Sequence, residues 1–193
     1  MVHSQLNVDV LVSGYTQGFF PMADWDGIYW HSPDPRAIIP LNQVPSKPRS
    51  LKNYEKKHNF HFTINYDFEQ VIKQCAERKD TWISEEIINS YIELNFIGLA
   101  HSIETWCNGE IVGGLYGVCI GAAFFGESMF NTKDNAAKSA YYHLIQLLNN
   151  NNFILLDSQY INPFTRTLGA IEIPRNDYIE LLTKAISESR KFI

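Results

Sequence analysis

Residues 113–148 constrain the fold of this chain more than any other stretch of its sequence. They run GGLYGVCIGAAFFGESMFNTKDNAAKSAYYHLIQLL, a pattern that predicts two strands joined by a tight turn, an exposed corner and a long helix. Gly113, Gly114, Gly117 and Gly121 lie among β-branched and aromatic residues, which indicates bulges or a backbone that another group approaches closely. A strand end followed by a helix start is where an α/β sheet usually presents its ligand site.

Glu127 lies at that strand end, among small and apolar neighbours. The unpaired amides of the following helix's first turn favour an acceptor or a negative charge in this place. Glu127 is either a surface carboxylate at the end of a strand or part of a functional site. Because its neighbours give little reason for a charge, the second interpretation is preferred.

Composition limits the classes of partner and of site. The net charge of −5 excludes a global positive field that would attract nucleic acid, so such a partner would need a local basic patch. Cys75, Cys107 and Cys119 are odd in number and widely spaced, which suggests neither a disulfide framework nor a zinc site. No signal peptide or membrane-spanning run is apparent, so a cytoplasmic protein is the default expectation.

A polar, proline-rich segment at residues 40–48 separates a short N-terminal part from the rest of the chain. We therefore expect a small N-terminal domain at residues 1–46 and a larger main domain at residues 47–193. Within the first part, the sequence FFPM at residues 19–22 predicts an apolar turn that lines a pocket or packs between subunits.

The sequence HSPDPR at residues 31–36 predicts a rigid loop, because its two prolines fix the backbone and exclude a helix. This loop presents Ser32, Asp34 and Arg36. It is either functional or a stiff connector in which Asp34 and Arg36 pair, and the sequence leaves both alternatives open.

One dense basic cluster follows the proline-rich segment, and most of it lies on a predicted helix that Ser50 can cap and that extends through His58. A solvated helix face is the commoner fate of such a run, and a phosphate-binding surface is the functional alternative. The members of this basic cluster are Lys47, Arg49, Lys52, Lys56 and Lys57.

The main domain is predicted to have the element order β-α-α-β-β-β-α-β-α-β. Asp67 and Ser84 are predicted helix caps, and Asn108-Gly109 is the strongest hairpin signal of the chain. Three consecutive antiparallel strands then precede a helical crossover to a short apolar strand at residues 153–156. This order resembles the acyltransferase fold of N-acetyltransferases, an α+β fold in which helices flank a splayed mixed sheet.

A second polar strand end follows the apolar strand. Asp157 should be partly buried there, and since an unpaired buried carboxylate is costly, it needs a partner. Gln159 points to the same face if the strand continues. Such a pair can hold an amine, stabilise a tetrahedral intermediate or relay a proton; alternatively, Asp157 caps a helix and Gln159 is merely hydrogen-bonded. The sequence shows no Ser-His-Asp grouping. His101, on an alternating strand, is more typical of a hydrogen-bonded core histidine than of a catalytic one.

Short motifs occur in a fixed order along nearly the whole chain. They are GFFP at 18–21, WHSPDPR at 30–36, TWI at 81–83, HSIE at 101–104, GGLYGV at 113–118, GESMF at 126–130, NAAK at 135–138, DSQ at 157–159 and LGAIEIPR at 168–175. In this order they resemble the leucyl/phenylalanyl-tRNA–protein transferase family. The strings SPDPR and GESMF are the most specific of them.

The resemblance implies an enzyme that moves Leu or Phe, and also Met, from aminoacyl-tRNA to the N-terminal Arg or Lys of a protein, which marks that protein for degradation by the N-degron pathway. It also implies the acetyltransferase-like fold and a small N-terminal domain, with no metal and no coenzyme A. An aminoacyl ester is already activated, so such an enzyme needs only to position a neutral amine and stabilise the oxyanion.

The resemblance also assigns residues. Asp157 and Gln159 match the family's catalytic pair, Glu127 matches a carboxylate beside them, and Trp30 and Trp82 match aromatic residues at the tRNA 3′-adenosine. The basic cluster is the candidate for tRNA phosphate contacts. The positions that match the pocket for the aminoacyl side chain are Leu115, Phe124, Met129, Tyr141, Leu144 and Leu156.

Two other functions fit the same fold. One is an acetyl-CoA-dependent N-acetyltransferase, but such enzymes usually hold pyrophosphate with a glycine-rich turn before the long helix, and residues 131–134 contain no glycine. The other is a non-catalytic protein that binds tRNA or peptide. The intact pair of Asp157 and Gln159 argues against it more weakly.

Overall fold

The chain is described from a computed structural model, which covers residues 6–193 and leaves the first five residues of the expected N-terminal domain outside the description. The helices are α1 (Val8–Thr16), α2 (Arg49–Lys57), α3 (Phe68–Ala76), α4 (Glu85–Phe96), α5 (Ala136–Asn150), α6 (Pro163–Thr167) and α7 (Arg175–Ser187). The strands are β1 (Phe20–Asp24), β2 (Gly27–His31), β3 (Arg36–Ile38), β4 (His61–Ile64), β5 (Ala100–Cys107), β6 (Glu110–Ile120), β7 (Ala123–Asn131), β8 (Leu155–Gln159) and β9 (Ile171–Ile173).

Side-chain caps set several helix starts. Asn7, Asp67 and Ser84 each accept a backbone N–H of the first turn, at α1, α3 and α4. The predicted caps Asp67 and Ser84 are therefore confirmed. The predicted cap Ser50 is wrong: α2 begins one residue earlier, at Arg49, directly after Pro48. Pro48 stands at the cap position and has no side-chain acceptor, so no side chain caps the N–H groups of the first turn of α2.

The predicted turn at residues 19–22 is also wrong. Phe20 begins β1, which forms a two-stranded antiparallel sheet with β2, and Phe20 faces His31 in the register. Pro21 is compatible with this strand because the hairpin has a free edge, where a missing N–H costs no ladder hydrogen bond. The apolar pattern gave no means of telling a short edge strand from a turn.

Seven strands form the main sheet, in the order β4-β5-β6-β7-β8-β3-β9. The pairs are antiparallel except β7 with β8, which the α5 crossover makes parallel. The mixed α+β architecture is confirmed, as are the Asn108-Gly109 hairpin between β5 and β6 and the internal place of β8. Helices α1, α3, α4 and α7 contribute to the core on one face of the sheet, and α2 and α5 to the core on the other.

The sheet opens between its two parallel strands. β7 pairs with β6 from Ala123 to Asn131, with a register shift that leaves Glu127 without a β6 partner, but it pairs with β8 only from Ala123 to Phe125. Beyond Phe125, β7 has no strand on its β8 side, while β8 turns its other edge to β3. Glu127 and Asp157 therefore lie at the two sides of a gap in the sheet.

The N-terminal part packs closely on the rest. The Leu6 N–H donates to Glu86 Oε1 of α4 (2.7 Å), and the Ala23 N–H of β1 donates to the Trp82 carbonyl (3.0 Å). β3, which precedes residue 46, lies inside the main sheet between β8 and β9. The division of the chain at residues 46 and 47 stays a prediction. Over residues 6–193, no helix has the length and apolar character that crossing a membrane requires.

Candidate active site

A cavity of about 810 Å³ fills the gap between β7 and β8. Its walls come from β6, β7, β8, α5, α6 and the segment that joins α3 to α4. Glu127, Asp157 and Gln159 lie in its lining. The structure thus brings together the three polar residues that the sequence analysis placed at two separate strand ends.

Asp157 has the partner that its burial requires. The carboxylate is fully buried, and it accepts Nε and Nη2 of Arg36 at 3.0 and 2.7 Å. It also accepts the Tyr178 hydroxyl (2.7 Å) and the Gln159 backbone N–H (2.8 Å). The predicted need for a partner is confirmed, whereas the alternative pairing of Arg36 with Asp34 is wrong, because Asp34 accepts the Arg175 backbone N–H instead (3.1 Å).

Arg36 is as buried as its partner, with 1% of the residue exposed. Its guanidinium lies between the rings of Phe20 and Tyr178, 4.7 and 4.5 Å from their centroids, and Nη1 donates to the Gly18 carbonyl (3.0 Å). A buried ion pair is tolerated only when both ions are fully hydrogen-bonded. Four donors hold the Asp157 carboxyl group in one orientation.

Gln159 is the last residue of β8 and pairs with Ala37 of β3, so the strand extends as far as the sequence suggested. The Gln159 φ of +62° lies in the left-handed region, where residues other than glycine are uncommon. The strand ends there, and the Gln159 side chain donates from Nε2 to Glu127 Oε1 (2.9 Å). Asp157 therefore accepts the backbone N–H of Gln159, while the side-chain amide of Gln159 donates to Glu127.

Glu127 is buried inside a cluster of hydroxyl and amide donors. Tyr15 donates to its Oε1 (2.7 Å) and Tyr91 to its Oε2 (3.3 Å), and the two tyrosine hydroxyls also contact each other. Burial, together with the smaller effect of the Asp157 charge, raises the pKa of Glu127 to about 7, although hydrogen bonds from Tyr15, Gln159 and Tyr91 lower it. Burial, followed by the charge of Glu127, raises the pKa of both tyrosines well above its usual range.

The two buried carboxylates of the cavity, Asp157 and Glu127, are therefore chemically different. Asp157 is neutralised by Arg36, whereas Glu127 has no ion-pair partner in the described part of the chain. A carboxyl group that titrates near neutral pH is well suited to accept and return a proton. Tyr15 and Tyr91 were not among the predicted site residues, because no sequence signal relates a tyrosine of α1 to one of α4.

The predicted side-chain pocket largely coincides with the apolar part of the cavity. Phe124 is the exception: it is buried and stacks on Phe192, with 5.2 Å between ring centroids, and is absent from the lining. The Tyr141 hydroxyl donates to the Leu168 carbonyl (2.6 Å), so only the apolar ring of Tyr141 faces the cavity. The predicted residues that line the cavity are Leu115, Met129, Tyr141, Leu144 and Leu156.

Gly113 sets the position of the helix behind that pocket. A Cβ atom at Gly113 would lie 2.5 Å from Ala136 Cβ and 2.9 Å from the Ala137 nitrogen, far inside normal contact distance. Thr105 holds the same turn by donating its hydroxyl to the Ala136 carbonyl (2.9 Å). The start of α5 is thus pressed against β6, and Ala137 reaches the cavity lining.

The two tryptophans assigned to the 3′-adenosine are in different places. Trp82 is half-buried and lines the cavity, as does Met22 of β1. Trp30 is absent from the lining and covers Gly14 of α1, so closely that a Cβ at Gly14 would lie 2.1 Å from its ring. Only Trp82 of the pair is available to a group that enters the cavity.

The basic cluster lies outside the cavity, mostly on α2. Lys47 forms an ion pair with Glu55 (2.5 Å) and lies 5.5 Å from the Phe62 ring centroid. The other four members are exposed on the helix. Arg78, which sequence analysis did not select, is the one cationic residue among the described residues that line the cavity.

The cysteines and His101 take no part in the cavity. The three cysteines are buried and free, and burial raises the pKa of Cys75 and Cys119 to about 12, which leaves those two thiols unreactive. His101 is buried, contacts the Asn65 amide (2.8 Å) and stacks on Phe192 (4.3 Å), and burial lowers its pKa to about 4. The expectation of a satisfied core histidine is confirmed.

Known proteins of one family match nearly the whole chain. The family model described as leucyl/phenylalanyl-tRNA protein transferase matches residues 38–183, and the model of that family's N-terminal domain matches residues 4–34. A leucyl/phenylalanyl-tRNA–protein transferase of Gloeobacter violaceus is 46% identical over 191 residues, which is 97% of each chain. One of Herpetosiphon aurantiacus is 44% identical over 188 residues, covering 97% of this chain and 98% of the relative.

Among solved structures, L-PGS from Bacillus licheniformis superposes with a TM-score of 0.44 and 14% identity, over 82% of this chain and 53% of that one.

Proposed function

Because this chain belongs to the leucyl/phenylalanyl-tRNA–protein transferase family, we propose that it transfers leucine or phenylalanine, and also methionine, from aminoacyl-tRNA to the N-terminal Arg or Lys of acceptor proteins. Such a transfer marks the acceptor for the N-degron pathway, in the cytoplasm where aminoacyl-tRNA is found. The observation that carries the proposal is the cavity in the opened sheet. It joins an apolar pocket to Glu127 and Gln159, as an aminoacyl ester with an apolar side chain requires.

The reaction needs positioning and proton transfer. The acceptor's α-amine attacks the ester carbonyl and a C–N bond forms. The C–O bond to the ribose oxygen then breaks, and the released tRNA hydroxyl takes up a proton while the amine loses one. No covalent enzyme intermediate is required, because the ester is already activated. Holding amine and ester in contact supplies a large part of the rate enhancement.

We assign Glu127 as the group that accepts the proton of the amine. Its pKa of about 7 lies near working pH, where a general base is most effective. As a buried carboxylate without an ion-pair partner in the described chain, it also suits the cationic N-terminus of the acceptor. Gln159, bonded to Glu127 through its amide, orients this carboxylate and offers an N–H to the developing oxyanion.

We assign Asp157 a positioning role. Its oxygens are already bonded to Arg36, Tyr178 and the Gln159 backbone, so they are not free to take a proton from substrate. Its bond to the Gln159 N–H supports the left-handed turn that aims Gln159 at Glu127.

We further propose that the exposed members of the basic cluster contact tRNA phosphates. Arg49, Lys52, Lys56 and Lys57 lie on the surface of α2, where they can follow a nucleic-acid backbone. Such contacts fix orientation without conveying sequence information. Lys47 is already neutralised by Glu55, so we expect a smaller contribution from it.

A direct assay tests the proposed function. The protein is incubated with Leu-tRNA labelled in its leucine and with two peptides that differ only in their first residue, Arg or Glu. We expect ribonuclease-resistant label on the Arg peptide and none on the Glu peptide. Label on neither peptide would contradict the proposal, and acetylation of the Arg peptide by acetyl-CoA would favour the acetyltransferase alternative.

Replacing Met129 by Ala should shift preference among donors from Leu towards Phe and Trp. Met129 lines the apolar part of the cavity, and its removal leaves room for a larger ring. Because selection by shape alone is worth roughly 1–3 kcal/mol, we expect a changed ranking with leakage and no absolute exclusion. The measurement is competitive transfer from a mixture of charged tRNAs.

Met22→Ala is the matched control. Met22 also lines the cavity, but it lies on β1, beside Trp82, to whose carbonyl the neighbouring Ala23 N–H donates. We expect it to keep the parental ranking. If Met129→Ala keeps that ranking too and loses only stability, Met129 is a core residue and does not select the side chain.

A further inference from the structure

Arg78 lies at the mouth of the cavity, in the segment that joins α3 to α4. Its exposed side chain reaches across to β7, where Nη2 donates to the Ser128 hydroxyl (3.0 Å) and to the Met129 carbonyl. Both residues lie beyond the point where β7 leaves β8. Arg78 thus contacts the open edge of the strand that forms one wall of the cavity.

Trp82 lies beside this guanidinium. The Arg78 Cζ atom is 5.8 Å from the centroid of the Trp82 ring. The backbone of Trp82 is held in place, because its carbonyl accepts the Ala23 N–H of β1 (3.0 Å). The cavity mouth therefore presents a half-buried aromatic ring on a held backbone, with an exposed cation next to it.

An aromatic ring beside an arginine matches the chemistry of a nucleotide. A nucleobase of any identity can stack on an indole ring, and a guanidinium binds phosphate oxygens in a two-pronged geometry. The phosphate on the 5′ side of a nucleoside lies within one side-chain length of its base. A nucleoside that stacks at Trp82 would therefore bring that phosphate into reach of Arg78.

The present partners of Arg78 are easily replaced. Both are neutral acceptors, one hydroxyl and one backbone carbonyl, and the arginine is exposed. Hydrogen bonds between a guanidinium and a phosphate carry charge on both sides and are roughly twice as strong as neutral ones. Glu77 and Glu127 also line the cavity, so without Arg78 an entering phosphate would meet only negative charge.

From this geometry we propose that Arg78 forms a phosphate subsite beside Trp82: it binds the phosphate on the 5′ side of the terminal nucleoside of the aminoacyl-tRNA, which the family resemblance already places at Trp82. The proposal rests on the proposed function, because that function supplies a substrate whose ester is attached to a nucleotide. It assigns to one residue at the cavity a phosphate contact distinct from those of the basic cluster.

The test uses two stable analogues of the donor end, 3′-leucylamido-3′-deoxyadenosine with and without a 5′-phosphate. Their dissociation constants are measured by titration of the full chain. We expect the phosphate to tighten binding to the parent by roughly 10- to 100-fold, the range for hydrogen bonds to charged groups. In Arg78→Gln this ratio should fall to near one, while the unphosphorylated analogue binds within a few-fold of the parent.

Lys79→Gln is the matched control, because Lys79 is an exposed cation one residue away that is absent from the cavity lining. It should keep the parental ratio. A parental ratio near one, no measurable binding of either analogue, or a ratio unchanged in Arg78→Gln would each overturn the subsite. An equal loss for both analogues would show that Arg78 only braces Met129, and would overturn it as well. If the subsite fails while Leu-tRNA still donates to the Arg peptide, the proposed function stands without it.

Discussion

Asp157→Asn will lower the free energy of unfolding by about 3–5 kcal/mol as well as reduce transfer, because it removes one member of a buried ion pair. The asparagine would leave the guanidinium of Arg36 charged and enclosed, with 1% of that residue exposed. It would also weaken the hydrogen bond that the Gln159 backbone N–H donates to residue 157. The Gln159 side-chain amide, which donates to Glu127, would then be held less firmly in position. Urea unfolding followed by circular dichroism gives the change in stability.

Two variants make this measurement specific. Asp34→Asn changes an exposed aspartate that also accepts a backbone N–H, and it should change stability by no more than about 1 kcal/mol. Replacing both ions, as in Arg36→Met with Asp157→Leu, should recover part of the lost stability, since an apolar pair can take the place of a buried ion pair. Transfer should stay low in this double variant. If Asp157→Asn unfolds at the parental urea concentration, the ion pair does not support the fold.

Glu127→Gln should lower the rate of transfer by roughly 100- to 10,000-fold, the usual contribution of a general base, and leave the fold intact. The amide has nearly the shape of the carboxyl group and can still accept hydrogen bonds from Tyr15 and Gln159. It cannot accept a proton from the amine. The measurement is kcat/KM for transfer to an Arg peptide, with thermal unfolding as the control for folding.

The pH dependence distinguishes loss of a base from loss of a contact. Two groups must be deprotonated for the parent to react, Glu127 with its pKa of about 7 and the acceptor α-amine, with a pKa of about 7.7–8.0. Well below both values, log kcat/KM of the parent should rise by about two units for each pH unit. In Glu127→Gln it should rise by about one. An unchanged slope would assign the proton to another group.

The stability of the same variant has a predictable sign. The folded chain holds the Glu127 proton up to pH of about 7, whereas the unfolded chain releases it near 4.5. The folded state therefore binds more protons between these values, and its stability falls as pH rises through that window. Glu127→Gln removes this loss. The free energy of unfolding of the variant minus that of the parent should therefore be larger at pH 8 than at pH 4.

The sheet could be predicted from sequence because its signals are local. The Asn108-Gly109 turn, alternating apolar residues and a long helix before an apolar strand specify three antiparallel strands and a parallel fourth. The β1 strand could not be predicted in this way, because the sequence FFPM shows no alternation of apolar and polar residues and no two-residue turn signal. Its structure depends on pairing with β2, which a pattern within one segment does not reveal.

The site was predictable only in part. The burial of Asp157 implied a partner, but no rule of spacing identifies Arg36, which lies 121 residues away in the chain. The tyrosines around Glu127 come from α1 and α4, and Arg78 lies in a polar segment that resembles any solvent-exposed connection. These residues become recognisable only when the fold brings them to one cavity.

The tight packing at Gly113 matters for how enzymes of this kind diverge or are redesigned. Any larger residue there would push the start of α5 away from β6, and with it the pocket wall that carries Ala137, Tyr141 and Leu144. Substrate range can therefore change through a position that no substrate touches. A library restricted to the residues in contact with the aminoacyl group would omit this route to new specificity.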